Sequence, residues 1–139
     1  MTEDKLVTVT AAILEHNGKI LVAQRKASDR LSGMWEFPGG KLESGETPEE
    51  CLKRELYEEF GIEVSVGHFV AESIYHYDHI SIRLIAYVAT LLGGLLEPTD
   101  HDDYRWVTIP ELDRYEFAPA DVPFVRMLRG ADLIKTAGF

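Results

Sequence analysis

The chain predicts an α+β fold, a mixed β-sheet packed between helices in an α/β/α sandwich. Two observations lead there. Runs rich in β-branched and aromatic residues, separated by turn residues, lie on both sides of one strongly capped helical segment at residues 47–61, and a second helical pattern follows near the C-terminal end. The order strands, helix, strands, helix is that of a sheet with helices against it. At 139 residues, 45% of them apolar, the chain has the length of one domain, residues 1–139, and enough hydrophobic material for a core.

Residues 5–15, rich in Val, Thr and Ile, read as the first strand, and Asn17-Gly18 is a two-residue hairpin turn. Residues 19–25 return as a second strand with Ile20 and Val22 alternating against polar neighbours. Residues 26–34 form a polar loop, and Trp35-Glu36-Phe37 is a short extended piece stopped by Pro38-Gly39-Gly40. In the helix that follows, Thr47 is the N-cap, Pro48 takes the first helical position, and Glu50 completes a capping box. Gly61 suits the left-handed position after the last turn, and Leu52, Leu56 and Phe60 form the buried stripe.

Residues 64–77 and 80–92 read as two long strands turning near Asp78-His79, with Gly93-Gly94 breaking the second. Residues 95–103 form an acidic loop, 104–107 a last strand, and 110–115 a short helical turn. Residues 119–129 read as the second helix, with Val122, Val125, Leu128 and Leu133 as core contacts. No internal repeat, linker or low-complexity segment interrupts this order.

The formal net charge of −10 disfavours long nucleic acids, which bind where Lys and Arg neutralise phosphates. A small nucleotide, its charge screened by metal ions, remains compatible. The single cysteine, Cys51, has no internal disulfide partner, which suits a reducing cytoplasm, and its place in the helix favours burial over nucleophilic catalysis. The N-terminal residues lack a basic segment leading into an apolar run, so no secretory signal is expected. No apolar stretch reaches the ~18 residues of a membrane helix, so no membrane partner is expected either. A monomer or a homodimer fits this chain equally well.

Glu55, Glu58 and Glu59 stand at i, i+3 and i+4 and so share one helix face at the edge of the buried stripe. Three like charges this close destabilise a bare helix, and a hard cation that prefers oxygen ligands, such as Mg2+, relieves the repulsion. The pattern points to metal-assisted chemistry on phosphate. His76 and His79 are three apart on a strand and its turn, which is not the helical pair of a zinc site.

Residues 40–62 resemble the signature of the Nudix hydrolases, G-x5-E-x7-R-E-U-x-E-E-x-G-U with U an apolar aliphatic residue. Gly40, Glu46, Arg54, Glu55, Leu56, Glu58, Glu59, Gly61 and Ile62 match every specified position. The resemblance implies the Nudix fold and hydrolysis of a nucleoside diphosphate linked to another moiety, with Mg2+, or Mn2+, polarising a phosphoryl oxygen and activating a water. It implies Glu55, Glu58 and Glu59 as metal ligands, the carbonyl of Gly39 as a further one, and Glu46 and Arg54 as supporting residues. The general base is one of these glutamates or an acid on a distant loop.

Beyond the signature the chain is similar to the MutT-like subgroup, which cleaves nucleoside triphosphates to the monophosphate and pyrophosphate. The similarity lies in residues 35–40, in Gln24-Arg25, and in Ala118-Pro119-Ala120-Asp121. It implies Arg25 as a phosphate ligand, Trp35 or Phe37 as a stacking surface for the base, and Asp121 as the residue that reads the base edge. Two departures stand out. Asp100 takes the place of a glutamate often found six residues before the last-strand tryptophan, here Trp106, and carries a shorter reach to metal. Asp121 replaces the asparagine of MutT itself; an ionised aspartate only accepts hydrogen bonds, which favours a donating edge such as a cytosine amino group or a guanine N1–H. Asp121 is equally well placed to cap the last helix.

The small-molecule substrate implied is thus a cytosine-type, oxidised or otherwise modified nucleoside triphosphate. Another nucleoside diphosphate derivative (ADP-ribose, a nucleotide sugar, a dinucleoside polyphosphate) and a non-catalytic nucleotide-binding module are the alternatives.

Overall fold

A computed structural model describes residues 5–26, 31–78, 80–94 and 101–133. Seven strands and two helices follow in the order β1 (Lys5–His16), β2 (Lys19–Arg25), β3 (Trp35–Glu36), β4 (Gly39–Lys41), α1 (Pro48–Phe60), β5 (Ile62–Tyr77), β6 (Ile80–Gly94), β7 (His101–Val107) and α2 (Val122–Leu133), with a 3-10 turn at Pro110–Arg114 before α2.

The strands form one mixed sheet in the order β3-β2-β1-β6-β5, with β4 added to β1 and β7 to β2. The central pair, β1 with β6, is parallel and the other pairings are antiparallel. Strand alternation on β1 sorts side chains to the two faces. Ala11 and Ile13 join Ile20, Val22, Phe124 and Leu128 in a cluster under α2. Ala12 and Leu14 join Leu21, Leu52, Leu56 and Phe60 in a second cluster under α1. Leu52, Leu56 and Phe60 are fully buried, and each such side chain stabilises the fold by about 1.5–3 kcal/mol.

The local signals at the first hairpin and at α1 correspond to what is observed. Asn17 (φ 53°) and Gly18 (φ 77°) both take positive φ, the requirement of a type I′ turn, and the register Glu15–Ile20, His16–Lys19 follows. The reading of Ile20 and Val22 as alternating against polar neighbours is corrected: the intervening Leu21 and Ala23 are apolar and as buried as they are, because the sheet is covered on both faces here.

Four other expectations are corrected. Gly39-Gly40 does not merely stop an extended piece but forms β4 against β1. Residues 93–94 continue β6 to its pairing with Ile62 and Glu63 rather than ending it. The second helix starts at Val122, not 119, because residues 118–121 form a turn in which Asp121 N–H donates to the Ala118 carbonyl and Val122 N–H to that of Pro119. β7 begins at His101, within the stretch read as an acidic loop. Residues 95–100, Asp100 among them, and His79 lie outside the described residues, as does the side chain of Leu133. Among the described residues no helix is long and apolar enough to cross a membrane.

Candidate active site

The first turn of α1 is held by the capping box: Thr47 Oγ1 accepts from Glu50 N–H at 3.1 Å, and Glu50 Oε1 accepts from Thr47 N–H at 2.8 Å. Gly61 closes the helix in the left-handed conformation at φ 70°. Between these ends the helix presents Arg54, which organises the acids around it.

Arg54 Nε and Nη2 donate to the two oxygens of Glu46 at 3.0 and 2.7 Å. Its Nη1 donates to Glu55 Oε1 at 2.7 Å and to Glu58 Oε1 at 3.0 Å, and Nη2 also reaches the Lys41 carbonyl at 3.2 Å. One guanidinium therefore grips three carboxylates, a use of the planar fork that lysine cannot reproduce. Glu46 also accepts from Glu43 N–H. The Arg54 bonds, with that backbone bond, hold the Glu46 carboxyl down at about 2. The same bond from Glu46, and then Glu55, push the Arg54 guanidinium upward.

β4 brings two glycines against this cluster. A side chain on Gly39 would overlap the Thr10 carbonyl, and one on Gly40 would overlap the carboxyl group of Glu55. Glycine at both positions lets β4 lie flush on β1 while a carboxylate rests on its surface. Ala12 N–H donates to the Pro38 carbonyl and Leu42 N–H to that of Thr8. The bonded pairs of an antiparallel ladder alternate, so Gly39, opposite Ala11, is at an unbonded position with its carbonyl turned away from β1.

A cleft of about 520 Å³ opens on the α2 face of the sheet, and Gly39, Gly40 and Glu59 line part of it. Glu59 Oε2 is a buried carboxylate oxygen with no hydrogen-bond donor among the described residues. Glu58, by contrast, is mostly exposed. Among the described residues no three His, Cys, Asp or Glu side chains converge as a ligand set: Glu55 and Glu58 turn to Arg54, and Glu59 turns to the cleft. The oxygen-only donors, the glycine floor that admits the Glu55 carboxyl, and the buried Glu59 oxygen suit a hard divalent cation.

Arg25, Phe37, Tyr77 and Asp121 also line the cleft. Asp121 is 5% exposed, and its Oδ2 accepts from the N–H of Phe37 at 3.0 Å, across 84 residues of sequence. Burial pushes the Asp121 carboxyl well above the usual carboxylate range, and the nearby charge of Glu36 adds to this, while the Phe37 N–H and Arg25 oppose it. Burial thus works against the ionised, acceptor-only form expected of Asp121. A carboxyl in the neutral form that burial favours both donates and accepts, as asparagine does. The backbone, not the side chain, serves α2: the Asp121 carbonyl accepts from Phe124 and Val125 N–H.

Arg25 Nη1 donates to Glu36 Oε1 at 2.7 Å, and the pair's electrostatic reach to Asp121 sets it near that end of the cleft. Phe37 is buried and stacked on Phe117 at 5.2 Å between ring centroids. Trp35, expected beside it, is not among the residues that line the cleft. It packs edge-on to Tyr115 at 4.9 Å, with the Arg105 guanidinium 5.8 Å from its ring centre.

Sequence reasoning brought together Gly39, Glu59, Arg25, Phe37 and Asp121, but it missed Tyr77, Glu36 and Thr10. Tyr77 Oη accepts from Ala120 N–H at 3.1 Å and so ties the tip of β5 to the turn that carries Asp121. No local signal marks it. Thr10 did leave one: it is a polar residue in the middle of an apolar strand.

Comparison with known proteins places the chain in a family. The family model of the NUDIX domain matches residues 4–128. The chain is 42% identical over 124 residues to the CTP pyrophosphohydrolase of Escherichia coli K12, covering 87% of this chain and 90% of that protein. It is 32% identical over 127 residues to the 8-oxo-dGTP diphosphatase of Haemophilus influenzae, covering 91% and 93%. The solution structure of the E. coli ORF135 protein superposes with a TM-score of 0.80 at 38% identity, over 93% of this chain and 92% of that one. With the matched signature built on β4 and α1, the chain belongs to the NUDIX family of hydrolases.

Proposed function

We propose that this protein is a divalent-metal-dependent pyrophosphohydrolase that converts a nucleoside triphosphate with a cytosine-type or oxidised purine base to the monophosphate and pyrophosphate. The observation that carries the reading is a single cleft lined at once by Glu59 with Gly39 and Gly40 and by a buried Asp121. The first set suits a metal-bound phosphate chain and the second a base edge. The names of the relatives, one a CTP pyrophosphohydrolase and another an 8-oxo-dGTP diphosphatase, support the two base classes.

Mg2+, or Mn2+, would be held by Glu55, Glu58, Glu59 and the Gly39 carbonyl, and when bound it would supply charge neutralisation and an acidified water. Arg54 bonds Oε1 of both Glu55 and Glu58, so each keeps its second oxygen for the ion. Glu46 has no direct contact with substrate in this reading. It fixes Arg54, and Arg54 fixes the ligands. Arg25 and Lys26 line the cleft and bring positive charge to the substrate. Phe37 offers an apolar surface to the base, and Asp121 offers a paired donor and acceptor. That pair complements the N3 and amino group of cytosine, or the O6 and N1–H of an oxidised guanine.

The test is kcat/KM across normal and modified triphosphates, including methylated cytosine and oxidised guanine forms, beside ADP-ribose and nucleotide sugars. Cytosine-type or oxidised purine triphosphates are expected to lead. A leading rate for ADP-ribose or a nucleotide sugar sinks the assignment.

The state of Asp121 gives a separate prediction. Its folded-state carboxyl is raised above the ordinary 3.8. The folded protein therefore binds this proton more tightly than the unfolded chain. That advantage is full at low pH and declines as pH climbs above 3.8, until the group ionises in the fold. Asp121→Asn removes the dependence. In thermal melts from pH 5 to 9 the variant is expected to gain on the wild type as pH rises. A constant difference across that range contradicts a neutral Asp121.

A further inference from the structure

Thr10 is 1% exposed on β1, on the face that meets α1. Its Oγ1 donates to the Gly40 carbonyl at 3.0 Å and lies 3.3 Å from the Cys51 sulfur. The Cys51 thiol in turn donates to the carbonyls of Gly40 at 3.6 Å and Lys41 at 3.4 Å, and Arg54 Nη2 lies 3.7 Å from it. Burial pushes that thiol up to about 11, so it is a neutral donor here and not a nucleophile. Hydroxyl and thiol together tether β4 to α1 from beneath. The tethered strand carries the Gly39 carbonyl, turned away from β1, and the Gly40 surface on which the Glu55 carboxyl rests.

We infer that Thr10, backed by Cys51, is a positioning residue that fixes the Gly40 carbonyl, and through it the adjoining Gly39–Gly40 peptide, against α1 and thereby sets the affinity of the site for its divalent cation. The inference rests on the metal reading proposed above. Thr10 borders the cleft, but its hydroxyl is turned to the Gly40 carbonyl and Cys51. Its hydroxyl holds the Gly40 carbonyl, one peptide along from the Gly39 carbonyl that must share an ion with the neighbouring carboxylate. A shift of a few tenths of an ångström between them weakens binding, since outer partners of metal ligands tune affinity by such placement.

The experiment measures Mn2+ dissociation constants from the electron paramagnetic resonance signal of free Mn2+, without nucleotide, for wild type, Thr10→Val and Thr10→Ser. Valine keeps the volume and deletes the hydroxyl; serine keeps the hydroxyl. Thr10→Val is expected to bind Mn2+ roughly tenfold more weakly, the weight of one buried hydrogen bond. Thr10→Ser is expected to stay within about twofold of wild type, a rescue that a purely packing role does not produce, because serine loses the methyl group. If Thr10→Val does not fold, Thr10→Ala against Thr10→Ser decides, since the two differ only in the hydroxyl. Equal Mn2+ affinity across either pair overturns the role of Thr10 while leaving the metal reading intact. A wild type that binds no Mn2+ overturns the metal reading itself, and this inference with it.

Discussion

Glu59→Gln is expected to lower kcat by roughly a thousandfold at saturating Mg2+, with the melting temperature little changed. Glutamine keeps the length and shape of the side chain, so the packing of α1 on the sheet is undisturbed. What it loses is the negative charge at a position that lines the cleft and holds a buried carboxylate oxygen. Weaker binding of the cation and loss of a proton acceptor both reduce the rate in this account. Raising the Mg2+ concentration restores only the first, so titration of kcat with metal separates them. Glu58→Gln is expected to fall by orders of magnitude as well, although Glu58 is mostly exposed and bonded to Arg54. Near-normal turnover in either variant, with the fold intact, counts against the ligand assignment.

Arg54→Ala is expected to cost roughly 10- to 100-fold in activity, as loss of a group that orients metal ligands does. Three carboxylates, Glu46, Glu55 and Glu58, lose their common partner at once. Repulsion along the helix face, which Arg54 relieves in the wild type, then acts on a metal-free site. Arg54→Lys is expected to rescue charge but not activity, since one ammonium group cannot reproduce three directed bonds. A pH signature accompanies this. In the folded wild type Glu46 titrates at about 2 against an ordinary 4.5, so its contribution to stability is full above 4.5 and lost as pH falls through about 2. Without Arg54 the Glu46 carboxyl returns toward 4.5, and that contribution disappears. The acid-unfolding midpoint of Arg54→Ala is therefore expected at higher pH than that of wild type. A midpoint that does not move means that the Glu46–Arg54 pair carries no weight in solution.

The contrast between α1 and the rest of the cleft shows what a sequence can and cannot reveal here. The capping box, the glycine stop and the buried stripe of α1 are local. Thr47, Glu50 and Gly61 act within a few residues of one another, so their spacing alone predicts them. The hairpin at Asn17-Gly18 is legible for the same reason. β4 was not, because Gly39-Gly40 carries the composition of a break and becomes a strand only by close approach to Thr10 and Glu55. Asp121 was visible as a polar residue at the start of a helix, but its protonation depends on burial by elements far away in the chain. Trp35 and Phe37 look alike in sequence, and only their packing separates the residue that lines the cleft from the one held by Tyr115 and Arg105. Tyr77 contributes through a single bond to Ala120, 43 residues on, which no local pattern encodes.

The most direct test of the central claim is the product pattern from a triphosphate, read by phosphorus-31 nuclear magnetic resonance with CTP and an oxidised guanine triphosphate as substrates. Nucleoside monophosphate and pyrophosphate are expected in equal amounts, formed with Mg2+ and abolished by a chelator. Release of inorganic phosphate with a nucleoside diphosphate, or cleavage that persists in the chelator, would contradict it.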